Sequence, residues 1–260
     1  MRAVTVIPGR AGSAALGEVP EPDAAGGSVL VETLAVGVCG TDVEIAGGLY
    51  GWAPPGRERL ILGHESLGRV VDPGPSGFAV GEHVVGIVRR PDPVPCPNCA
   101  VGEWDMCSNG GYTERGIKQV DGFMADRWRI EPEYAVKVDE SLGVLGVLLE
   151  PTTVVAKAWE HIAAIGRRSF WEPSTVLVVG AGPIGLLAAL IGCSTAAMCM
   201  CSTASRAAAN RRWSRRSERL TTPGRCPSSG SDRMSWLSAP GSRSSCETSP
   251  MPLRLAGLCA

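Results

Sequence analysis

A chain of 260 residues with 25 Lys and Arg against 26 Asp and Glu carries a net charge of −1, which removes any overall electrostatic reason to expect a nucleic-acid or membrane partner. The length points to about two domains. The average hides a break after Gly192. Residues 193–260 hold ten Arg against three Asp and Glu, a balance of +7, whereas residues 1–192 have a balance of −8. That tail holds fourteen Ser and six of the ten Cys, but no Val, Ile, Phe, Tyr or Lys, so strand-forming side chains are scarce in it.

Met1 to Ile7 runs into Pro8-Gly9, too short for the apolar stretch of a secretory signal. The apolar run from Val176 to Ile191 is broken by Gly180, Gly182, Pro183 and Gly185, which argues against a membrane span. We therefore expect a cytoplasmic protein, in which Cys serves more often as a metal ligand than in a disulfide.

Residues 1–140 read as an all-β unit. Val-rich runs at Val29–Val36, Gly68–Asp72, His83–Val88 and Tyr134–Val138 are separated by Gly/Pro turns such as Asp72-Pro73-Gly74-Pro75. His83 is expected in a turn. Within this unit Cys39-Gly40-Thr41-Asp42 is followed by Gly63-His64-Glu65. Thiolate, imidazole and carboxylate are the donors of a zinc site that keeps one coordination position for water or substrate. Further on, Cys96, Cys99 and Cys107 form a second thiol group. Pro95, Pro97 and Gly102 predict that these thiols lie on a loop rather than ahead of a helix, which favours a metal clip over a redox pair.

Apolar residues recur at helical spacing through 143–165, including Leu145, Leu148, Leu149, Val155 and Ile162, with Pro151 expected to interrupt or kink the helix. His161 is expected exposed on it. A buried strand Thr175–Val179 then enters Gly180-Ala181-Gly182-Pro183-Ile184-Gly185 and a helical Leu186–Leu190. A G-x-G-x-x-G turn between strand and helix is a dinucleotide fingerprint, in which the helix N-terminus receives a pyrophosphate.

The next strand should end in an acid for the ribose hydroxyls, yet residues 193–210 contain none. A reading-frame change near Gly192 is the expected reason, with a natural disordered Ser/Arg-rich tail as the alternative. Shifted by one base, the codons of Met198-Cys199-Met200-Cys201 can encode Asp-Val-His-Val, and those of Ser202-Thr203-Ala204 can encode Leu-Asp-Arg.

These motifs resemble the zinc-dependent medium-chain dehydrogenases. The runs Gly63–Val71 and Val80–Val85 are similar to their GroES-like catalytic domain. Gly102–Cys107, Gly111–Ile117 and Asp121-Gly122-Phe123 are more like the glucose 1-dehydrogenases among them. The resemblance covers residues 1–192. It implies a mixed α/β protein: a GroES-like catalytic domain over 1–150, then over 151–192 a linker helix and the first strand, turn and helix of a Rossmann domain. The chain reads as truncated there and frame-shifted, with 193–260 an aberrant, disordered tail.

What the resemblance implies for the site follows residue by residue. Cys39, His64 and Glu65 hold a catalytic zinc, with Glu150 of Glu150-Pro151 as a direct or alternating ligand that also lies at the substrate. Thr41 hydrogen-bonds the reacting hydroxyl and starts a proton path, unless it merely caps a turn. Cys96, Cys99 and Cys107 match the last three ligands of a structural-zinc lobe. Pro93 stands where the first would be, and Asp92 beside it offers an oxygen. Glu114 receives sugar hydroxyls, unless it is a surface charge beside Arg115. Val154 is apolar where some of these enzymes place a further polar sugar contact. Gly180, Gly182, Pro183, Ile184 and Gly185 bind NAD or NADP. The implied activity is oxidation of a sugar, glucose in the first instance, by NAD(P)⁺ in a homo-oligomeric enzyme. A polyol, threonine or simple alcohol dehydrogenase and an inactive zinc-binding remnant stay as alternatives.

Overall fold

The computed structural model describes residues 1–195 and three strands beyond them, Met198–Ser202, Met234–Leu237 and Arg243–Cys246. The chain divides into two units, Met1–Glu150 and Pro151–Cys259.

In chain order the first unit comprises β1 (Arg2–Val6), β2 (Ala15–Glu18), β3 (Val29–Gly37), α1 (Gly40–Ala46), β4 (Leu60–Ile61), β5 (Glu65–Asp72) and β6 (His83–Gly86). It continues with β7 (Arg89–Arg90), α2 (Pro97–Ala100), β8 (Thr113–Arg115), β9 (Gln119–Val120), β10 (Arg127–Ile130) and β11 (Ala135–Val138). Five strands form an antiparallel sheet in the order β10-β3-β5-β6-β11, and two smaller sheets run β2-β1-β4 and β7-β8-β9.

The central sheet buries alternate residues, as period-2 side-chain geometry demands. Val29 and Val31 of β3, Val70 of β5, Val84 of β6, and Trp128 and Ile130 of β10 close around Phe123. The Phe123 and Trp128 rings meet edge to face with centroids 4.7 Å apart. Each such side chain contributes roughly 1.5–3 kcal/mol by leaving water. His83 is not in a turn. It is the first residue of β6, opposite Arg69 and Val138, because ladder pairing on both sides extends the strand by one residue.

The expected helix over 143–165 is two elements. A 3₁₀ run, Glu140–Leu148, is broken at Gly143 (φ 51°, ψ −136°) and leads into α3 (Leu149–Gly166). Pro151 neither interrupts nor kinks α3, since it sits in the first turn, where a missing N–H removes no intrahelical bond. By length and composition Glu140–Gly166 is apolar enough to cross a membrane. Its continuous α-helical part is 18 residues and carries Glu150, Lys157, Glu160 and His161. His161 is exposed, as expected.

In the second unit β12 (Thr175–Val179), α4 (Pro183–Thr195) and β13 (Met198–Ser202) form a βαβ unit, with β12 and β13 parallel from Thr175↔Met198 to Val179↔Ser202. The composition of residues 193–260 leaves β12 without a neighbour. The structure corrects this, because a parallel ladder is made by backbone groups, which Met, Cys and Ser supply as well as Val does. β12 is also less buried than expected: Val176 and Val178 are half-buried, while Leu177 and Val179 are 52% and 71% exposed. β14 (Met234–Leu237) and β15 (Arg243–Cys246) form an antiparallel pair. Otherwise the expectations for the tail lie outside the described residues.

Candidate active site and metal centres

The register of β3 against β5 assembles the first site. Gly37 pairs with Glu65 and Val36 with Ser66. Cys39 lies two residues beyond the end of β3, as the N-cap of α1. The segment between β4 and β5 turns at Gly63, whose φ of +92° lies in the left-handed region that favours glycine. A Cβ there would also press on Met124 and Val36. That turn directs His64 at Cys39, with Nε2 3.1 Å from Sγ. Donor atoms of Cys39, His64 and Glu65 all lie within 4.8 Å of one another. Thr41 is half-buried in the first turn of α1, two residues from Cys39.

Asp42 belongs to this site and was not among the expected residues. It is 3% exposed and accepts the Cys39 N–H at 3.0 Å through Oδ2. Its Oδ1 faces His64 Nδ1 at 3.5 Å. The geometry falls short of a hydrogen bond and leaves both buried atoms without a hydrogen-bond partner. A carboxylate behind an imidazole fixes which ring nitrogen is free to bind a metal. The available signal was an acid three residues after a candidate ligand at a helix start.

The charges of the cluster are those of a site made for a cation. Burial depresses the His64 imidazole, but Asp42, Cys39 and Glu150 outweigh it and raise His64 to about 9. Burial raises Glu65. Glu150 is lifted to about 7, first by burial; His64 opposes the rise, and the charges of Glu65, Asp42 and Glu114 add to it. Glu150 thus shares the electrostatic field of the cluster. Soft, borderline and hard donors around a buried point, with His64 Nε2 turned toward the Cys39 thiol and Nδ1 left facing Asp42, fit zinc.

The second thiol group is also brought together. The Sγ atoms of Cys96, Cys99 and Cys107 lie within 4.8 Å of one another, those of Cys96 and Cys99 being 3.6 Å apart. Contrary to expectation, Cys96 precedes a helix: it is the N-cap of the four-residue α2, with Pro97 at N1, where its fixed φ suits a helical turn. Hydrogen bonds from Ser108 and Cys99 hold the Cys96 thiol down to about 6, while burial raises Cys99 to about 11. Three crowded thiols fit a thiophilic cation. Asp92 is 7% exposed and reaches only part of the group, with Oδ2 3.8 Å from Cys107 Sγ. Its oxygens already accept the N–H groups of Val94 and Gly111.

Glu114, on β8, is not paired with Arg115. Its partner is Arg89, directly opposite on β7, with Nη2 2.7 Å and Nε 3.1 Å from Oε1. Arg115 turns inward instead, 6% exposed and donating to the carbonyls of Gly26 and Arg129. Val154 is apolar and 58% exposed.

In the second unit each glycine of the turn has a separate task. Gly180, at φ +108°, makes the turn. Gly182 has no atom within 4 Å of where a Cβ would stand, which leaves room for a close ligand. A Cβ on Gly185 would overlap the Gly180 carbonyl oxygen, so that glycine lets helix and strand pack. Pro183 and Ile184 open α4, and its next bond runs from Leu186 N–H to Gly182 O at 2.9 Å. This is the division of labour of a dinucleotide-binding turn.

Fold and site define a class: a GroES-like β domain with a Cys/His/Glu donor cluster, followed by a glycine-turn βαβ unit. Residues 25–140 match the alcohol dehydrogenase GroES-like domain, and residues 143–212 match the glucose dehydrogenase C-terminus. Through these two matches the chain resembles the zinc-dependent medium-chain dehydrogenases, and among them the glucose 1-dehydrogenases. It is 45% identical over 193 residues to a glucose 1-dehydrogenase of Methanocella arvoryzae, covering 74% of this chain and 54% of that one. To a glucose 1-dehydrogenase of Halobacterium salinarum it is 45% identical over 169 residues, 65% of this chain and 47% of the other. A structure of Haloferax mediterranei glucose dehydrogenase in complex with NADP, Zn and gluconolactone superposes with a TM-score of 0.70 at 35% identity, over 79% of this chain and 59% of that one. The chain thus spans about half the length of the curated relatives it matches. The second family match runs past Gly192, to residue 212.

Proposed function

We propose that the chain carries the substrate and zinc half of a sugar 1-dehydrogenase that oxidises an aldose, glucose in the first instance, with NAD(P)⁺ as acceptor. The observation that carries this is the convergence of Cys39, His64 and Glu65 within 4.8 Å, with Glu150 in the same field. Zinc held there would polarise a sugar hydroxyl as a Lewis acid, and the dinucleotide would accept the hydride.

The other tasks fall to the chain's own residues. Asp42 orients His64. Thr41 hydrogen-bonds the reacting hydroxyl and passes its proton outward. Glu150, in the field of His64, Glu65 and Asp42, serves as a direct or alternating zinc ligand that also lies at the substrate. Glu114 accepts sugar hydroxyls, and a carboxylate left unpaired would reject an apolar alcohol. Cys96, Cys99 and Cys107 take a structural zinc, and Gly180, Gly182, Pro183, Ile184 and Gly185 cradle the pyrophosphate of a Rossmann-type domain. A cytoplasmic setting agrees with the free thiols of Cys39, Cys96, Cys99 and Cys107. Homo-oligomeric assembly is carried over from the family.

The test is sugar binding to the zinc-loaded full chain by saturation-transfer NMR. We expect D-glucose contacts that vanish on zinc removal and in Glu114→Gln. Preference for ethanol would favour a simple alcohol dehydrogenase. Tight zinc with no binding of sugar, alcohol or dinucleotide would favour a zinc-binding remnant.

A further inference from the structure

Glu114 sits at the end of a chain of contacts that the sugar reading does not use. Across the β7–β8 ladder Arg89 and Glu114 are register partners. Both Arg89 bonds land on the same oxygen, Oε1, and among the described residues Oε2 takes no hydrogen bond. The third arm of the guanidinium, Nη1, donates to Trp104 O at 3.1 Å. Its Cζ lies 4.0 Å from the centre of the Tyr112 ring. Lys118 Nζ lies 4.0 Å from the centre of the same ring and donates to Gly110 O at 2.6 Å. Lys118 is tied to Glu114 by backbone bonds in both directions, 2.7 and 2.9 Å. Tyr112 is therefore bracketed by two cations, each attracted to its ring.

We propose that Arg89, locked by the Tyr112 ring, is a specificity-determining positioning residue that makes the Glu114 subsite selective for neutral polyols. The inference rests on Glu114 being the sugar acceptor. The side chain of Glu114 is only 13% exposed, and a carboxylate so placed without a countercharge would favour a ligand that brings a cation, such as a protonated amino sugar. Arg89 supplies that countercharge, with Nη2 2.7 Å from Oε1. The pair leaves one oxygen, Oε2, for ligand hydroxyls and repels an incoming ammonium. Selectivity through a built-in repulsion needs that charge in a fixed place, and the stack on Tyr112 together with the bond to Trp104 fixes it.

The experiment compares D-glucose with D-glucosamine at pH 7 on the zinc-loaded full chain, by competition in saturation-transfer NMR. The parent chain should prefer glucose. Arg89→Gln should move the glucose-to-glucosamine affinity ratio by about 10-fold or more toward glucosamine, as loss of one close charge at a partly screened site predicts. Tyr112→Leu should move it in the same direction by less, whereas Tyr112→Phe, which keeps the ring, and Arg89→Lys, which keeps the charge, should restore most of the parent ratio. A purely structural role would lower both affinities together, and that result, or an unchanged ratio in Arg89→Gln, overturns the proposal. If Arg89→Gln loses its fold by circular dichroism, the ratio in Tyr112→Leu decides. A parent chain that binds neither sugar defeats the sugar reading itself, and this inference with it.

Discussion

Gly37 and Glu65 face each other across β3 and β5, and the Glu65 carboxylate occupies the space where a side chain on residue 37 would begin. The absence of a Cβ at Gly37 is thus what lets the third donor of the metal cluster lie over the strand. Gly37→Ala should push Glu65 out of the cluster and weaken zinc binding by roughly 10-fold or more. Gly40→Ala, where no atom stands within 4 Å, should leave zinc affinity unchanged. Competition with a chromogenic chelator measures both.

Asp42 supports the site from behind His64. Asp42→Asn keeps the shape and removes the charge, so zinc affinity should fall roughly 10- to 100-fold, as for other carboxylates behind metal-binding imidazoles. Zinc affinity equal to that of the parent would mean that Asp42 serves only the turn at Cys39 N–H.

The metal-free chain should lose stability as pH rises. His64 has its folded value raised to about 9, above the ordinary 6.5. Its protonated form is favoured in the fold, so its contribution is complete below pH 6.5 and disappears through pH 9. For this largely buried group the amount is roughly 3 kcal/mol. Glu150, raised to about 7, acts in the same direction at lower pH, because the folded carboxyl holds its proton longer than the unfolded one. Urea unfolding of the metal-free chain at pH 6 and pH 9.5 should show the fall, and His64→Gln should flatten its upper part. Zinc affinity has the opposite sign and rises over this window, since the proton on His64 must leave for the metal to bind.

The glycines of the second unit should separate binding from stability. Gly182→Ala places a methyl group in open space, so thermal unfolding should not change while NADP⁺ affinity by calorimetry falls. Gly185→Ala forces β12 and α4 apart and should destabilise the unit as well. Equal NADP⁺ affinity in the parent and Gly182→Ala would argue against pyrophosphate binding at this turn.

The legible parts of the sequence were those carried by adjacent residues. Cys39, the Gly63-His64-Glu65 run and the glycine turn each hold their chemistry within a few positions, and the Val alternation of β3 and β5 is local too. What escaped depends on register or on turn geometry. Arg89 meets Glu114 only because β7 pairs with β8 in one particular alignment, and residue spacing does not reveal that alignment. Asp42 joins His64 because α1 begins immediately after Cys39. A similar local turn, initiated by Pro97, puts Cys96 at a helix end where Gly and Pro predicted a loop. β13 was missed because side-chain composition says little about a ladder made by backbone groups.

The central claim is that Cys39 and His64 hold a tightly bound zinc ion. The most direct measurement is the zinc content of the purified full chain by elemental analysis, beside Cys39→Ala and His64→Ala. The parent should hold about one zinc per chain, or about two if the Cys96–Cys99–Cys107 group is filled, and each variant should hold about one fewer, because removal of one of three protein ligands disables such a site. Full parental zinc in both variants would contradict the account.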